Sequence, residues 1–145
     1  MKRVLMAISV IALCMGSIGT AQAVDLGRFC WQAPNLFVLD VAATQQTAPG
    51  AVQQLGFSGT LSNQAGTVIG YVTGSGSQNA AAGTMNAGLT IVTDPASAFA
   101  AGTSTSAAVC SFTLPGLAGN CAVTPTNGAI PIPAGPIALT ASACP

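Results

Sequence analysis

The sequence predicts an all-β fold, a small antiparallel up-and-down barrel of seven or eight strands with at most one short helix, and three observations predict it. Apolar and polar residues alternate with period two in one segment after another. Gly, Asn, Ser and Pro clusters interrupt those segments at short intervals. Half of all residues (50%) are hydrophobic while only 4% carry charge, so each strand has an apolar face to bury and little besides other strands to bury it against. Such a sheet closes on itself or packs on a second sheet, which keeps a two-sheet β-sandwich as the alternative.

The chain opens with a leader. Lys2 and Arg3 form a charged start, Val4 to Met15 are almost wholly apolar, and Ala21-Gln22-Ala23 places small residues where a signal peptidase reads them. This pattern predicts a secretory signal peptide over residues 1–23, cleaved after Ala23. The apolar run is shorter than the roughly 20 residues that span a bilayer, and no second run follows, so no membrane span is expected in the mature chain. Removing 23 residues from 145 leaves a single domain of 122, residues 24–145. One arginine and three aspartates remain in it, for a net charge of −2. So little positive charge provides no footprint for nucleic acid or for an anionic membrane surface.

The first mature stretch, Arg28-Phe29-Cys30-Trp31, holds the only arginine beyond the leader and the only tryptophan, and Phe29 to Gln32 supply a possible eighth strand. Phe37, Leu39 and Val41 then share one strand face, with Asp40 on the other. Leu55, Phe57, Gly59 and Leu61 alternate with Gly56, Ser58, Thr60 and Ser62, the mark of a half-buried antiparallel strand. Gln64-Ala65-Gly66 predicts a tight turn with Gly66 at positive φ. In the returning arm Ile69, Tyr71 and Thr73 fall on one side, with Val68, Gly70 and Val72 on the other.

Gly74 to Ala82 reads as a flexible loop of glycine, serine and alanine. The next strand shows the clearest alternation in the chain, Met85, Ala87, Leu89 and Ile91 against Thr84, Asn86, Gly88 and Thr90. Asp94-Pro95 then suits the start of a short helix over Ala96 to Ala101, closed by Gly102, with Phe99 tucked inward. Ala107 to Leu114 and Asn120 to Thr124 form a hairpin around Pro115-Gly116, and Ile130-Pro131-Ile132-Pro133 is an edge or connector because proline cannot donate to a ladder. Ile137 to Ala143 make the last strand.

Four cysteines remain after the leader, an even number in an exported chain, which predicts two disulfides. With Pro115-Gly116 at a hairpin tip, residues whose numbers sum to 231 face each other, and Cys110 faces Cys121. Cys30 is then left to join Cys144 and tie the start of the mature chain to its end.

The mature chain has no histidine, lysine or glutamate, and with both disulfides formed it has no free thiol. General acid–base work, nucleophile activation and metal binding draw mostly on those groups, so no catalytic, cofactor or metal site is expected and the protein is not read as an enzyme. Gly74-Ser75-Gly76 has no lysine-bearing helix behind it and is not a phosphate cradle. A membrane-spanning barrel is disfavoured by too few aromatics for two girdles, by paired cysteines, and by Cys144-Pro145 in place of a terminal aromatic strand.

Arg28 and Trp31 near the start of an up-and-down pattern resemble the end-closing pair of lipocalin- and avidin-type barrels, in which an arginine stacks over the indole. The Gly-x-Trp motif of those barrels is missing, because Phe29 stands in the glycine's place, and no family is assigned on this likeness. Without it, Trp31 reads as a plug of the core and Arg28 as a solvated residue near the terminus.

Two functions fit these residues. One is an exported barrel, periplasmic or extracellular, that holds a small apolar or neutral ligand against Trp31, Arg28, Phe37, Leu39, Phe57, Tyr71, Met85 and Leu89, with Gly59 and Ala87 leaving the space. The other is a structural or interaction component of the envelope or extracellular milieu, partnered by another protein or a glycan.

Overall fold

The structure is a computed structural model and describes residues 23–47, 50–94, 104–127 and 132–144. Eight strands account for most of them: β1 Val24–Ala33, β2 Phe37–Gln45, β3 Val52–Ser62, β4 Val68–Asn79, β5 Thr84–Thr93, β6 Thr105–Thr113, β7 Gly119–Asn127 and β8 Gly135–Ser142. They pair in sequence order, every pair antiparallel, and β8 returns to β1 to close the barrel. The described residues include no helix. Residues 1–22 of the leader and the short helix expected after Asp94, with Phe99, lie outside the described residues, as do Ile130 and Pro131.

The alternation in the sequence becomes the inside and outside of the barrel. Trp31, Leu39, Val41, Phe57, Leu61, Val72, Leu89, Phe112 and Leu139 are all buried in one core cluster. Their neighbours along the strands, such as Ser58, Thr73, Thr90 and Thr140, are exposed. This is the reverse of a lipid-facing barrel, which carries its apolar band outside. No helix of the described residues is long and apolar enough to cross a membrane.

Two strands depart from strict alternation. In β4 the pairing jumps from Leu61↔Gly70 to Ser62↔Val68, which makes Ile69 an extra residue in a β-bulge. Ile69 and Val72 are therefore both buried, while Tyr71 is 54% exposed and points outward. In β1 the register shifts between Asp25 and Gly27, where Gly27 has φ +92° and donates its N–H to Asp25 Oδ1 at 2.8 Å. This bulge explains why the sequence shows only half of β1: Val24, Leu26 and Phe29 fall on no single period.

The stretch expected as a flexible loop is instead the second half of β4, which runs to Asn79 and turns over residues 80–83. Glycine is required there by close approach, since a Cβ on Gly74 would lie 2.1 Å from the Gly88 carbonyl oxygen. Gly59 has the same role in β3, where a Cβ would lie 1.9 Å from the Asp40 carbonyl oxygen. The space expected at Gly59 is thus filled by neighbouring backbone.

The seam between β1 and β8 is short, with only Cys30↔Ser142, Trp31↔Ala141 and Gln32↔Thr140 in register. A disulfide from Cys30 to Cys144 lies beside it, and the second joins Cys110 to Cys121, which are directly opposed across the β6–β7 hairpin. Two disulfides suit an oxidising compartment.

Candidate functional site

Phe29, Trp31 and Ala33 face inward from β1, and Trp31 is 2% exposed. Its ring lies 4.8 Å from that of Phe112 and stacks at 6.1 Å with Phe29, centroid to centroid. An indole N–H buried this deeply needs an acceptor. It finds one in the carbonyl of Leu117, at 2.8 Å, in the β6–β7 turn. Leu117 sits at φ 54°, donates its own N–H to Thr113 O at 2.8 Å, and packs against the core. Leu114 N donates to Gly83 O, also at 2.8 Å, and fastens this turn to the β4–β5 turn.

Above Trp31, at the end of the barrel where β1 and β3 begin and β4 ends, lies an apolar cup of about 420 Å3. Leu26 and Phe29 of β1, Leu55 and Phe57 of β3, Met85 of β5, and Leu114, Pro115 and Leu117 of the turn form its walls. Among the described residues Gln53 and Gln78 supply the only amide side chains in the lining. The β1 bulge puts Leu26 there, which is how a bulge re-aims a side chain at a barrel rim.

Below Trp31 the interior is filled. The void among Trp31, Leu39, Val41, Phe57, Met85, Ala87, Leu89 and Phe112 is about 10 Å3, no more than one water's worth. Trp31, Phe57 and Met85 touch both spaces and form the floor of the cup. A wider hollow of about 680 Å3 lies on the outer surface beside Asn86, Ser111, Asn120 and Thr140, but it is shallow.

The residues expected to line a ligand site thus separate into groups. Trp31, Phe57 and Met85 meet at the cup, while Leu39 and Leu89 pack beneath it in the filled centre. Phe37 is inward but begins β2 at the opposite end. Tyr71 is corrected to the outer face, because the bulge at Ile69 leaves Gly70 and Val72 as the inward residues of that segment.

Arg28 is corrected as well, since odd-numbered residues face inward in this part of β1. Its guanidinium lies outside, paired with Asp40 of β2, and Nε donates to Asp40 Oδ1 at 3.1 Å. The hydrogen bond to Asp40 and then its charge push the arginine pKa further above its usual value, so it stays cationic. Trp31 is capped by Phe29 and the Leu117 carbonyl, and among the described residues no arginine lies over the indole.

Sequence reasoning missed Leu26, Leu55, Gln53, Gln78 and the turn residues as site residues. Leu55 and the Pro115-Gly116 turn are visible as elements, but nothing in the alternation says at which end of the barrel the cup forms. Among the described residues Cys30, Asp40 and Cys144 place their ligand atoms within 4.8 Å of one another. The two sulfurs are bonded to each other and the carboxylate to Arg28, so this trio supplies no thiolate for a metal. Compared with protein-family models, with curated proteins and with solved structures, the chain matches none.

Proposed function

We propose that the protein is a non-catalytic binding barrel, exported to the periplasm or the extracellular milieu, that takes a small apolar or neutral ligand in the cup over Trp31. The observation that carries this reading is the cup itself. Its volume of about 420 Å3 lies within the range of small-molecule sites, roughly 300–1,000 Å3, and its lining of aliphatic and aromatic side chains with two amides has their usual character. Strands and a hydrogen-bonded turn hold these walls, so the site is formed before a ligand arrives. Export is supported by the leader pattern and by two disulfides.

Trp31 provides the test, because it is the only tryptophan and forms the floor of the cup. A neutral environment-sensitive dye, N-phenyl-1-naphthylamine, should show saturable one-to-one energy transfer from Trp31. Leu26→Arg places a charge at the mouth, where Leu26 is 36% exposed, and should abolish that transfer. Transfer that never saturates, or that the variant leaves unchanged, refutes the reading.

One observation favours the structural alternative. Val24 and Val52 are 52% and 50% exposed and begin β1 and β3 at the same end as the cup. An apolar rim of this kind fits an envelope protein whose side chain fills the cup. A purified protein that excludes the dye until a partner is removed supports that alternative.

A further inference from the structure

From the two amides at the mouth of the cup we infer that its ligand is an uncharged amphiphile, an apolar body with an alcohol or carboxamide head, and that the site discriminates against the same body carrying a carboxylate. This rests on the reading of the cup as a ligand site and adds what that site selects.

Gln53 and Gln78 are direct cross-strand partners, one residue inside the start of β3 and one inside the end of β4. Both line the cup at its outer edge, with Leu55 and Phe57 of β3 deeper toward the Trp31 floor. Neither side-chain amide has a hydrogen-bond partner among the described residues. Each offers two N–H donors and a carbonyl acceptor, so together they complement a head group that both donates and accepts. The Leu117 carbonyl in the cup's wall already accepts from Trp31.

Among the described residues no charged side chain lines the cup. The charges closest along the chain are Asp25, whose Oδ1 accepts from Gly27 N, and Arg28, which is tied to Asp40 on the outer face. A carboxylate entering beside the half-buried Gln53 and Gln78 would lose part of its water without gaining a cation, which amide donors alone compensate incompletely. A neutral head loses less and keeps its hydrogen bonds. The apolar body then lies along Leu55, Phe57 and Met85 with its far end at Trp31.

The test compares probes of matched length, octanamide and sodium octanoate, by displacement of N-phenyl-1-naphthylamine near neutral pH. Octanamide should displace the dye, and octanoate should bind at least about tenfold more weakly. Lowering the pH through the probe's own carboxyl pKa should bring octanoic acid up to octanamide. In Gln53→Leu/Gln78→Leu, octanamide should weaken several-fold, with an unchanged circular dichroism spectrum and urea midpoint showing that the variant is folded. Octanoate as tight as octanamide, or octanamide that fails to displace bound dye, overturns this inference and leaves the ligand site standing. Failure of the dye itself to bind the wild-type protein overturns the underlying reading and this inference with it.

Discussion

The Trp31 indole N–H donates to the Leu117 carbonyl at 2.8 Å across 86 residues of sequence, so the first strand holds the β6–β7 turn in the wall of the cup. That single bond links the core plug to the wall of the cup. Trp31→Phe keeps most of the packing but leaves a half-buried carbonyl without its donor, a loss of about 1–3 kcal/mol. Trp31→Ala also removes the floor between the cup and the central void and should cost about 3–5 kcal/mol. Urea titrations followed by circular dichroism distinguish the two, and equal losses would show that the hydrogen bond carries the whole effect.

The disulfides should contribute unequally. Cys30–Cys144 closes a separation of 114 residues and Cys110–Cys121 one of 11. On the chain-entropy argument Cys30→Ala should destabilise by about 2 kcal/mol more than Cys121→Ala. The β1–β8 seam has only three residue pairs in register, which adds to the difference. Equal urea midpoints for the two variants would count against this assignment of roles.

Strand glycines differ sharply in what surrounds them. A Cβ on Gly59 meets the backbone of Asp40 and Val41, whereas on Gly88 it finds nothing closer than the Ser75 carbonyl oxygen at 3.9 Å. Gly59→Ala must spread β2 from β3 and should lose at least about 1–3 kcal/mol. Gly88→Ala should be neutral or gain about 0.4–1 kcal/mol by restricting the unfolded chain. Thermal melts of the two variants should therefore move in different directions or differ clearly in size.

Arg28→Ala provides a check on the corrected site. The guanidinium is outside the barrel and paired with Asp40, so its removal should leave dye affinity and the Trp31 emission maximum unchanged. A red-shifted emission with weakened dye binding would restore the end-closing role that its closeness to Trp31 in sequence suggests.

The barrel was legible because alternation is a direct record of inside and outside. Met85, Ala87, Leu89 and Ile91 are buried as their spacing predicts, and Cys110 opposes Cys121 as the hairpin count requires. What alternation cannot record is an extra residue. The bulge at Ile69 turned Tyr71 outward, and the bulge before Gly27 hid Leu26 from the site. Gly74 to Asn79 looked like a loop because glycine lowers strand propensity, yet in a tightly curved sheet glycine is the residue that lets strands approach. The position of the cup was illegible for a further reason: it depends on which end the β6–β7 turn covers, a contact between residues far apart in the chain.

The central claim is that ligand binds at the end of the barrel bounded by Leu26, Gln53, Gln78 and Leu117. The most direct test is amide chemical-shift mapping of the 15N-labelled protein during titration with N-phenyl-1-naphthylamine. The account predicts saturable shifts at Leu26, Phe29, Gln53, Gln78 and Leu117 and at the Trp31 indole, with Phe37 and Tyr71 silent. Shifts centred on Phe37 and the opposite end, or none at saturating dye, would contradict it.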